Sequence, residues 1–295
     1  MKGIVLAGGS GTRLHPTTRV TSKQLLPVFD KPMVYYPIST LMAAGIRDVL
    51  VISAPDALRA LRALLGDGAR LGMRFAYAEQ RRPRGIAEAL LIGEEHIAGR
   101  SSALVLGDNL FHGPGFPDLL RGAAASVDGC VLFGSKVADP ERYGVGEVDP
   151  SGRLVSIEEK PELPKSDYAV TGLYLYDADA VEIARGLRPS ARGELEITDV
   201  NRAYLDRGKA RLVTLDSDVM WIDAGTEESL LEASGYAAAF AREHGRRIAC
   251  LEEVALRMGF IDAEACYGLG VEMKDSPYGR YVMDAARHWN GTQQR

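Results

Sequence analysis

Short apolar runs alternate with amphipathic stretches along the first hundred residues. Strands are predicted over four short apolar runs: 4–7, 46–54, 73–79 and 102–106. Helices are predicted over the stretches between them: 33–45, 56–66 and 86–98. The second helix is expected to place four leucines on one face: Leu58, Leu61, Leu64 and Leu65. This β–α order predicts a mostly parallel sheet with helices on both faces, which binds ligands at the carboxyl ends of its strands.

The pattern changes after residue 128. Strands joined by turns are predicted over 129–137, 144–149, 153–161, 168–176 and 210–216. Helices are predicted over 178–187, 193–208, 227–243, 251–258 and 277–287. We therefore expect an α/β core over 1–227, with a nucleotide half (1–128) and a sugar-phosphate half (129–227). A packed helical segment should follow over 228–295.

Composition and charge exclude several classes of protein. The net charge of −5 argues against a general nucleic-acid-binding surface, and no apolar run approaches the roughly 20 residues of a membrane span. Three widely spaced cysteines, Cys130, Cys250 and Cys266, indicate a reducing compartment and are expected to be buried. The five histidines form no ligand cluster and are expected on the surface. No signal peptide is expected, so a cytoplasmic enzyme with no membrane or nucleic-acid partner is predicted.

The first strand ends in a loop that has almost no side chains. Gly8, Gly9 and Gly11 follow it, and Arg13 and Lys23 come soon after. Such a backbone can approach a ligand closely, and its N–H groups can converge on an anion. The spacing fits neither a P-loop nor the dinucleotide-binding fingerprint. The sequence here predicts a triphosphate site of another kind.

The strings AGGSGTRL, SKQLLP and KP resemble the sugar-1-phosphate nucleotidyltransferases, and in particular members that transfer a thymidylyl group from dTTP to glucose 1-phosphate. The likeness extends from Met1 to about Tyr281. It implies a Rossmann-like, three-layer mixed sheet of the nucleotide-diphospho-sugar transferase type. It also implies nucleotide binding by these residues: Leu6, Gly8, Gly9, Gly11, Thr12, Arg13, Lys23, Gln24, Gln80, Gly85 and Asp108.

Two aspartates are candidates for a metal site. Asp108 ends the apolar run LVLGD, where a helix N-cap and a Mg²⁺ ligand are almost equally good interpretations of the local sequence. Asp223, in MWIDAGT, taken alone is better explained as a turn residue. The resemblance favours the ligand role for both, so we expect Asp108 and Asp223 to hold one Mg²⁺ ion.

The second half carries the motifs that the resemblance assigns to the sugar phosphate. In EEKP, Pro161 fixes Lys160 at a strand end, although a solvated charge run is the commoner explanation of such a string. The family likeness implies that Lys160 binds the phosphate, and that Arg13, Lys23 and Lys160 are catalytic. It assigns the sugar to Asn109, Tyr143, Gly144, Glu159, Lys160, Val170 and Thr171. The string ARGELEIT also matches, but the sequence does not show the partners of Glu194 and Glu196.

Several alternatives stay open. Arg82-Pro83-Arg84 stands where the family pattern has Ser-Pro-Asp, which leaves the nucleotide selectivity open. The nearest rival is an enzyme of the same fold that uses UTP, or another hexose 1-phosphate. A non-catalytic nucleotide-sugar sensor is a more remote rival, because it would need broken catalytic positions. The likeness further implies a homotetramer and a role in dTDP-deoxysugar formation, such as dTDP-rhamnose. Asp216-Ser217-Asp218 replaces the Gly-Arg-Gly of the family's second nucleotide site, which predicts weaker feedback inhibition.

Overall fold

The computed structural model describes residues 1–9, 11–289 and 291. Strands β1 to β13 are, in order, Lys2–Ala7, Pro27–Val28, Lys31–Pro32, Asp48–Ser53, Arg74–Glu79, Ser102–Leu106, Asn109–His112, Cys130–Lys136, Gly144–Val148, Leu154–Glu159, Tyr168–Tyr176, Ala210–Thr214 and Met220–Asp223. Helices α1 to α11 are Tyr35–Ala43, Pro55–Leu65, Glu88–Ile92, Glu94–Ile97, Phe116–Ala125, Ala180–Gly186, Ile197–Asp206, Glu227–His244, Leu251–Arg257, Ala263–Glu272 and Pro277–Arg287.

The described residues form one central nine-stranded mixed sheet. Its main path runs β10-β9-β11-β6-β1-β4-β5, and β8 pairs with both β11 and β12. Strands β6, β1, β4 and β5 are parallel, whereas β11 runs antiparallel to β6. The predicted α/β fold with a mostly parallel mixed sheet is confirmed.

Alternation along the central strands produces three layers. Val5 and Val51 pack on one face of the sheet in the same hydrophobic cluster as residues of α1, α2, α5 and α9. Ile4 and Ile52 pack on the opposite face in a second cluster with residues of α3, α4, α6 and α7. Since consecutive strand residues point to opposite faces, continuous apolar runs such as IVLA can serve both layers.

Three local predictions differ from the structure, and several short elements lie outside the predicted ones. The single helix predicted over 86–98 is two short helices divided at Gly93, where a Cβ atom would lie 2.8 Å from Ile4 Cδ1. Leu64 is 37% exposed and so does not share the buried face of Leu58, Leu61 and Leu65. The helix predicted over 193–208 begins only at Ile197. Helices α5 and α10 and the short strands β2, β3, β7 and β13 are not among the predicted elements.

The carboxyl-terminal region is helical and packs against the sheet. Leu251 and Ala255 of α9 belong to the hydrophobic cluster that covers one sheet face. Ala233 and Ala237 of α8 pack with Ile222 of β13 in a smaller cluster. The division of the chain at residues 128 and 227 stays a prediction. Among the helices described, none combines the length and the apolar character needed to cross a membrane.

Candidate active site

The glycine loop lies directly after β1, and side-chain hydrogen bonds from Gln24 and Thr18 hold its backbone. Gly9 has φ 100° and Gly11 has φ 59°, both in the region that favours glycine. Gln24, which is 1% exposed, donates from Nε2 to the carbonyl oxygen of Gly8 at 3.0 Å. The Thr18 hydroxyl donates to the carbonyl oxygen of Gly11 at 2.6 Å. The loop is therefore held by its carbonyl oxygens.

The predicted nucleotide-binding residues near the glycine loop differ in burial: some are exposed and others are buried. Thr12 and Arg13 begin a 3₁₀ turn, Thr12–Leu14, and both are exposed. Leu6 is 8% exposed within the hydrophobic cluster, and Gln24 lies beneath the loop. Direct contact of Leu6 and Gln24 with a nucleotide stays a prediction.

A two-stranded ribbon brings the two candidate metal ligands together. Strands β7 and β13 pair antiparallel, with Asn109 opposite Asp223. The backbone N–H of Ala224 donates to the carbonyl oxygen of Asp108 at 2.9 Å. Asp108 therefore lies immediately before β7 and Asp223 is the last residue of β13, so the two residues lie at the same end of the ribbon.

Asp108 and Asp223 form a buried anionic site in which each carboxylate affects the pKa of its neighbours. Burial raises the pKa of Asp108, but its ion pair with the Lys23 ammonium outweighs burial, so the pKa lies below its usual value. Burial and the Asp108 charge together raise the pKa of Asp223 to about 6. Burial lowers the pKa of Lys23, but the two carboxylates outweigh it and the net shift is upward. One ammonium thus faces two carboxylates.

Asp108 and Asp223 suit a magnesium ion. Their donor atoms are oxygens, and their mutual repulsion is the kind that a divalent cation relieves. Within the described residues, no group of three or more His, Cys, Asp or Glu side chains could hold a metal. Mg²⁺ characteristically takes one or two carboxylates and completes its shell with substrate phosphates and water.

A cavity of about 160 Å³ lies beside these aspartates and contains the predicted sugar-phosphate residues. Its lining includes predicted residues from both halves of the chain: Arg13, Asn109, Tyr143, Gly144, Glu159, Lys160, Val170 and Asp223. Thr171, the other predicted sugar residue, is fully buried, and its hydroxyl has no hydrogen-bond partner among the described residues. It does not line the cavity, so its contact with the sugar stays a prediction.

Glu159 is held in place by residues of the ARGELEIT string. The Thr198 hydroxyl donates to Glu159 Oε2 at 2.5 Å, and Arg192 Nη2 lies 3.5 Å from Oε1. Arg192 also pairs with Glu196 at 2.9 Å and with Glu194 at 3.7 Å. These contacts identify the partners of the two glutamates, which the sequence did not show.

Lys160 follows Glu159 in an unusual backbone conformation. Its φ is 43°, a region that favours glycine, and its N–H donates to the carbonyl oxygen of Tyr143 at 2.9 Å. Strained residues of this kind concentrate at functional sites. The Lys160 ammonium lies 4.0 Å from Glu159 Oε1 and remains partly exposed.

Trp221 is a site residue that sequence reasoning missed. Its Nε1–H donates to Asn109 Oδ1 at 2.6 Å, and the same oxygen accepts from the Gly172 N–H at 3.0 Å. Asn109 Nδ2 in turn donates to Asp108 Oδ1 at 3.2 Å. The Trp221 ring also packs edge-on against Tyr143, with centroids 5.3 Å apart. The sequence signal that could have identified Trp221 is its position two residues before the predicted metal ligand Asp223.

Gln80 and Gly85 lie together after β5, on the side of the glycine loop. Gln80 Nε2 donates to the carbonyl oxygen of Gly85 at 3.2 Å. A Cβ atom at Gly85 would lie 2.2 Å from the carbonyl oxygen of Leu195, and the φ of Gly85 is 102°. Glycine is required here by the close approach of Leu195, whereas its predicted role of leaving room for a base stays a prediction.

Comparisons with known proteins agree with this geometry. Residues 2–239 match the family model described as nucleotidyl transferase. A glucose-1-phosphate thymidylyltransferase of Xanthomonas campestris pv. campestris (strain B100) is 51% identical over 286 residues, which cover 97% of each chain. The Neisseria gonorrhoeae protein of the same name is 52% identical over 283 residues, covering 96% of this chain and 98% of the relative. The crystal structure of UDP-glucose pyrophosphorylase complexed with UDP-glucose is 26% identical with a TM-score of 0.72, covering 82% of this chain and 99% of that chain.

Proposed function

Because the chain belongs to the nucleotidyl transferase family, we propose that it transfers the thymidylyl group of dTTP to α-D-glucose 1-phosphate, giving dTDP-glucose and pyrophosphate. Enzymes of this family use a nucleoside triphosphate and a sugar 1-phosphate. The observation that carries the proposal is the single cleft, in which Arg13 and Asp223 line the same cavity as Glu159 and Lys160. Arg13, which is suited to bind a triphosphate, lines this cavity together with residues suited to bind a sugar phosphate.

The reaction needs no general base and no covalent enzyme intermediate. A phosphate oxygen of glucose 1-phosphate is already a competent nucleophile at neutral pH. It attacks the α-phosphorus of dTTP, the bond from that phosphorus to the oxygen bridging to the β-phosphate breaks, and pyrophosphate leaves. The protein therefore has to position the reactants in line and neutralise charge.

The cationic residues of the cleft divide this work. Arg13 and the N–H groups of the glycine loop hold the leaving pyrophosphate, and Lys23 lies along the phosphates. Lys160 orients the attacking phosphate. Its backbone, tied to Tyr143, fixes where the side chain starts. Glu159 accepts hydrogen bonds from sugar hydroxyls, and its own position is set by Thr198.

The family generally uses a divalent metal, and we propose Mg²⁺ for this chain. Asp108 and Asp223 would hold it, and it would supply neutralisation of the phosphate charge when bound. Lys23, Arg13 and Arg142 carry positive charge near Asp223.

A second candidate substrate pair is UTP with glucose 1-phosphate or another hexose 1-phosphate, favoured by the structural likeness to UDP-glucose pyrophosphorylase. Pyrophosphate release, measured for dTTP and UTP against a panel of sugar 1-phosphates, separates the candidates. The highest kcat/KM should belong to dTTP with glucose 1-phosphate. A higher kcat/KM for UTP than for dTTP would show that the chain catalyses the second candidate reaction instead. Nucleotide binding without Mg²⁺-dependent pyrophosphate release would instead support the sensor.

The finer features of the assembly are also proposals. We propose a cytoplasmic homotetramer assembled through the carboxyl-terminal helices, supported by the exposed Leu231 on α8, which is 75% accessible. Light scattering after size exclusion tests the tetramer. We also propose weak feedback, because Asp216 and Asp218 are exposed acids. Arg247, which stands where the family's second site usually has lysine, is already paired with Asp30. Calorimetric titration with dTDP-glucose should then show one class of sites, and a second tight class would contradict this.

A further inference from the structure

The side-chain amide of Gln80 is held in one orientation. Gln80 is 7% exposed, and its Nε2 donates both hydrogens: one to the carbonyl oxygen of Gly85 at 3.2 Å and one to Glu88 Oε2 at 2.9 Å. A primary amide nitrogen has two hydrogens to donate. Both are therefore used within the protein, and Oε1 is the group left for a ligand.

That oxygen points towards the glycine loop. A Cβ atom at Gly8 would lie 2.8 Å from Gln80 Oε1, so the oxygen approaches this loop only because residue 8 has no side chain. Among the described residues, none donates a hydrogen bond to this oxygen. Gln80 therefore presents an open acceptor beside the loop that is proposed to bind the nucleotide.

Glu88 determines which end of the amide faces the loop. Turning the amide over would bring Oε1 against two acceptors, the Gly85 carbonyl oxygen and the Glu88 carboxylate. Amide orientation is assigned from such networks. Without the carboxylate, only the longer 3.2 Å bond to Gly85 would oppose the turn. The charge-assisted bond that Gln80 Nε2 donates to Glu88 Oε2 is the stronger of the two restraints.

We infer that Glu88, the first residue of α3, is a positioning residue for base selection. It keeps Gln80 Oε1 towards the base, so the site accepts the N3–H of a thymine or uracil ring. Cytosine presents a lone pair at N3 and would meet this oxygen as a second acceptor. The inference rests on the proposed function, in which Gln80 contacts the base, and Glu88 itself touches only Gln80.

Three substitutions of Glu88 test separately whether its hydrogen-bond acceptor, its negative charge or its side-chain volume is needed. Glu88→Gln keeps an acceptor oxygen and removes the charge, Glu88→Met keeps the length and removes both, and Glu88→Leu is a second apolar variant. Each is assayed by pyrophosphate release with dTTP and dCTP at saturating glucose 1-phosphate. Circular dichroism and thermal melting identify any variant that does not fold.

The expected result is a change in discrimination with little change in turnover. Glu88→Gln should lose less than the apolar variants, about threefold, because it can still accept the Gln80 N–H but without the charge that strengthens this bond. Glu88→Met and Glu88→Leu should raise KM for dTTP about tenfold and lower the dTTP-to-dCTP ratio of kcat/KM about tenfold, the value of one hydrogen bond. Their kcat for dTTP should stay within about threefold.

Other results overturn the inference. Folded apolar variants with an unchanged dTTP-to-dCTP ratio would remove Glu88 from base selection, and so would an equal loss in Glu88→Gln. A fall in kcat for both nucleotides at a constant ratio would indicate a purely structural role. Calorimetric titration of wild type and variants with dTTP and dCTP gives the same comparison without turnover. If wild type binds dTTP selectively but releases no pyrophosphate, the proposed function fails, whereas the Glu88 inference is judged on the binding ratio alone.

Discussion

Asp108 and Asp223 meet because the backbone around them is paired. The Ala224 N–H donates to the Asp108 carbonyl oxygen at 2.9 Å, and Asn109 lies opposite Asp223 in the β7–β13 ribbon. Burial, together with the charge of Asp108, raises the pKa of Asp223 to about 6. Backbone pairing of this kind holds the two carboxylates together independently of a metal ion.

The first prediction concerns the metal. Asp223→Asn keeps the shape of the side chain but removes a charged oxygen ligand, so kcat should fall on the order of 10²- to 10³-fold, matching the several kcal/mol that a metal contributes as a Lewis acid. Pyrophosphate release measured over a Mg²⁺ titration checks this. Excess EDTA should stop wild-type turnover, and added Mg²⁺ should restore it.

Asp206→Asn is the matched control for that experiment. Asp206 is an exposed aspartate at the carboxyl-terminal end of α7, where a negative charge stabilises nothing. It should leave the Mg²⁺ dependence unchanged. Full turnover by Asp223→Asn at ordinary Mg²⁺ concentrations would remove Asp223 from the metal site.

The second prediction concerns Arg13. It lines the cavity, and its Nη1 would lie 3.7 Å from a Cβ atom at Gly225, next to Asp223. If Arg13 holds the leaving pyrophosphate, Arg13→Ala should lower kcat roughly 10³-fold or more, by analogy with arginine fingers. Steady-state kinetics of pyrophosphate release measures this. Arg19 is an exposed arginine in the same segment between β1 and β2, and Arg19→Ala should leave kcat almost unchanged. Near-wild-type turnover of Arg13→Ala would exclude it from the mechanism.

Much of the fold could be predicted because the determining interactions are local. Apolar runs such as that of β1 have no helical period and are bounded by glycine, so their identity as buried strands follows from their own composition. The glycine-loop position follows in the same way. The likeness to a known family supplied the candidate site residues, and the structure brings Arg13, Glu159, Lys160 and Asp223 to one cavity.

The remaining features depend on partners that are distant in sequence. Strands β7 and β13 have four residues each, and neither is a recognisable strand until the other lies beside it. Thr198 and Arg192 support Glu159 from another part of the chain. The surface prediction for the histidines is wrong for His96 and His112, which are both half-buried. His96 Nε2 lies 3.1 Å from the carbonyl oxygen of Gly3, and His112 contacts α8, because the burial of a polar side chain depends on tertiary packing.

The third prediction concerns the junction between the carboxyl-terminal helices and the core. Asp30 pairs with both Lys31 and Arg247, and Lys31 also donates to the Ile248 carbonyl oxygen at 2.8 Å. Asp30→Asn would leave two nearly buried cations facing each other. The free energy of unfolding should fall by about 3 kcal/mol, since removing one partner of a buried ion pair leaves uncompensated charge.

Urea denaturation measures this change as a lower midpoint at a constant m-value. Asp275→Asn replaces an exposed aspartate near the same junction and should cost less than about 0.5 kcal/mol. A cost for Asp30→Asn as small as that of the control would show that the cluster adds nothing to stability.

The fourth prediction is a pH dependence of stability that arises from His112. Burial, with the nearby Arg246 and His244 charges, lowers the pKa of His112 to about 4 in the folded protein, whereas an unfolded histidine titrates near pH 6.5. Between these values the unfolded chain binds a proton that the native protein does not. The stability that the neutral form of His112 contributes is therefore complete above about pH 6.5 and is lost as the pH falls towards 4.

Because His112 is partly accessible, its contribution to this loss should be about 1–2 kcal/mol, less than the full shift implies. Urea denaturation of wild type and His112→Asn at pH 7 and pH 5 isolates it, since other titrating groups cancel in the comparison. Asn can keep a polar contact with the Tyr236 hydroxyl, which lies 2.8 Å from His112 Nδ1. The variant should lose less stability on acidification than wild type, whereas His288→Asn, at an exposed position, should behave as wild type. Equal losses in wild type and His112→Asn would show that His112 does not set this dependence.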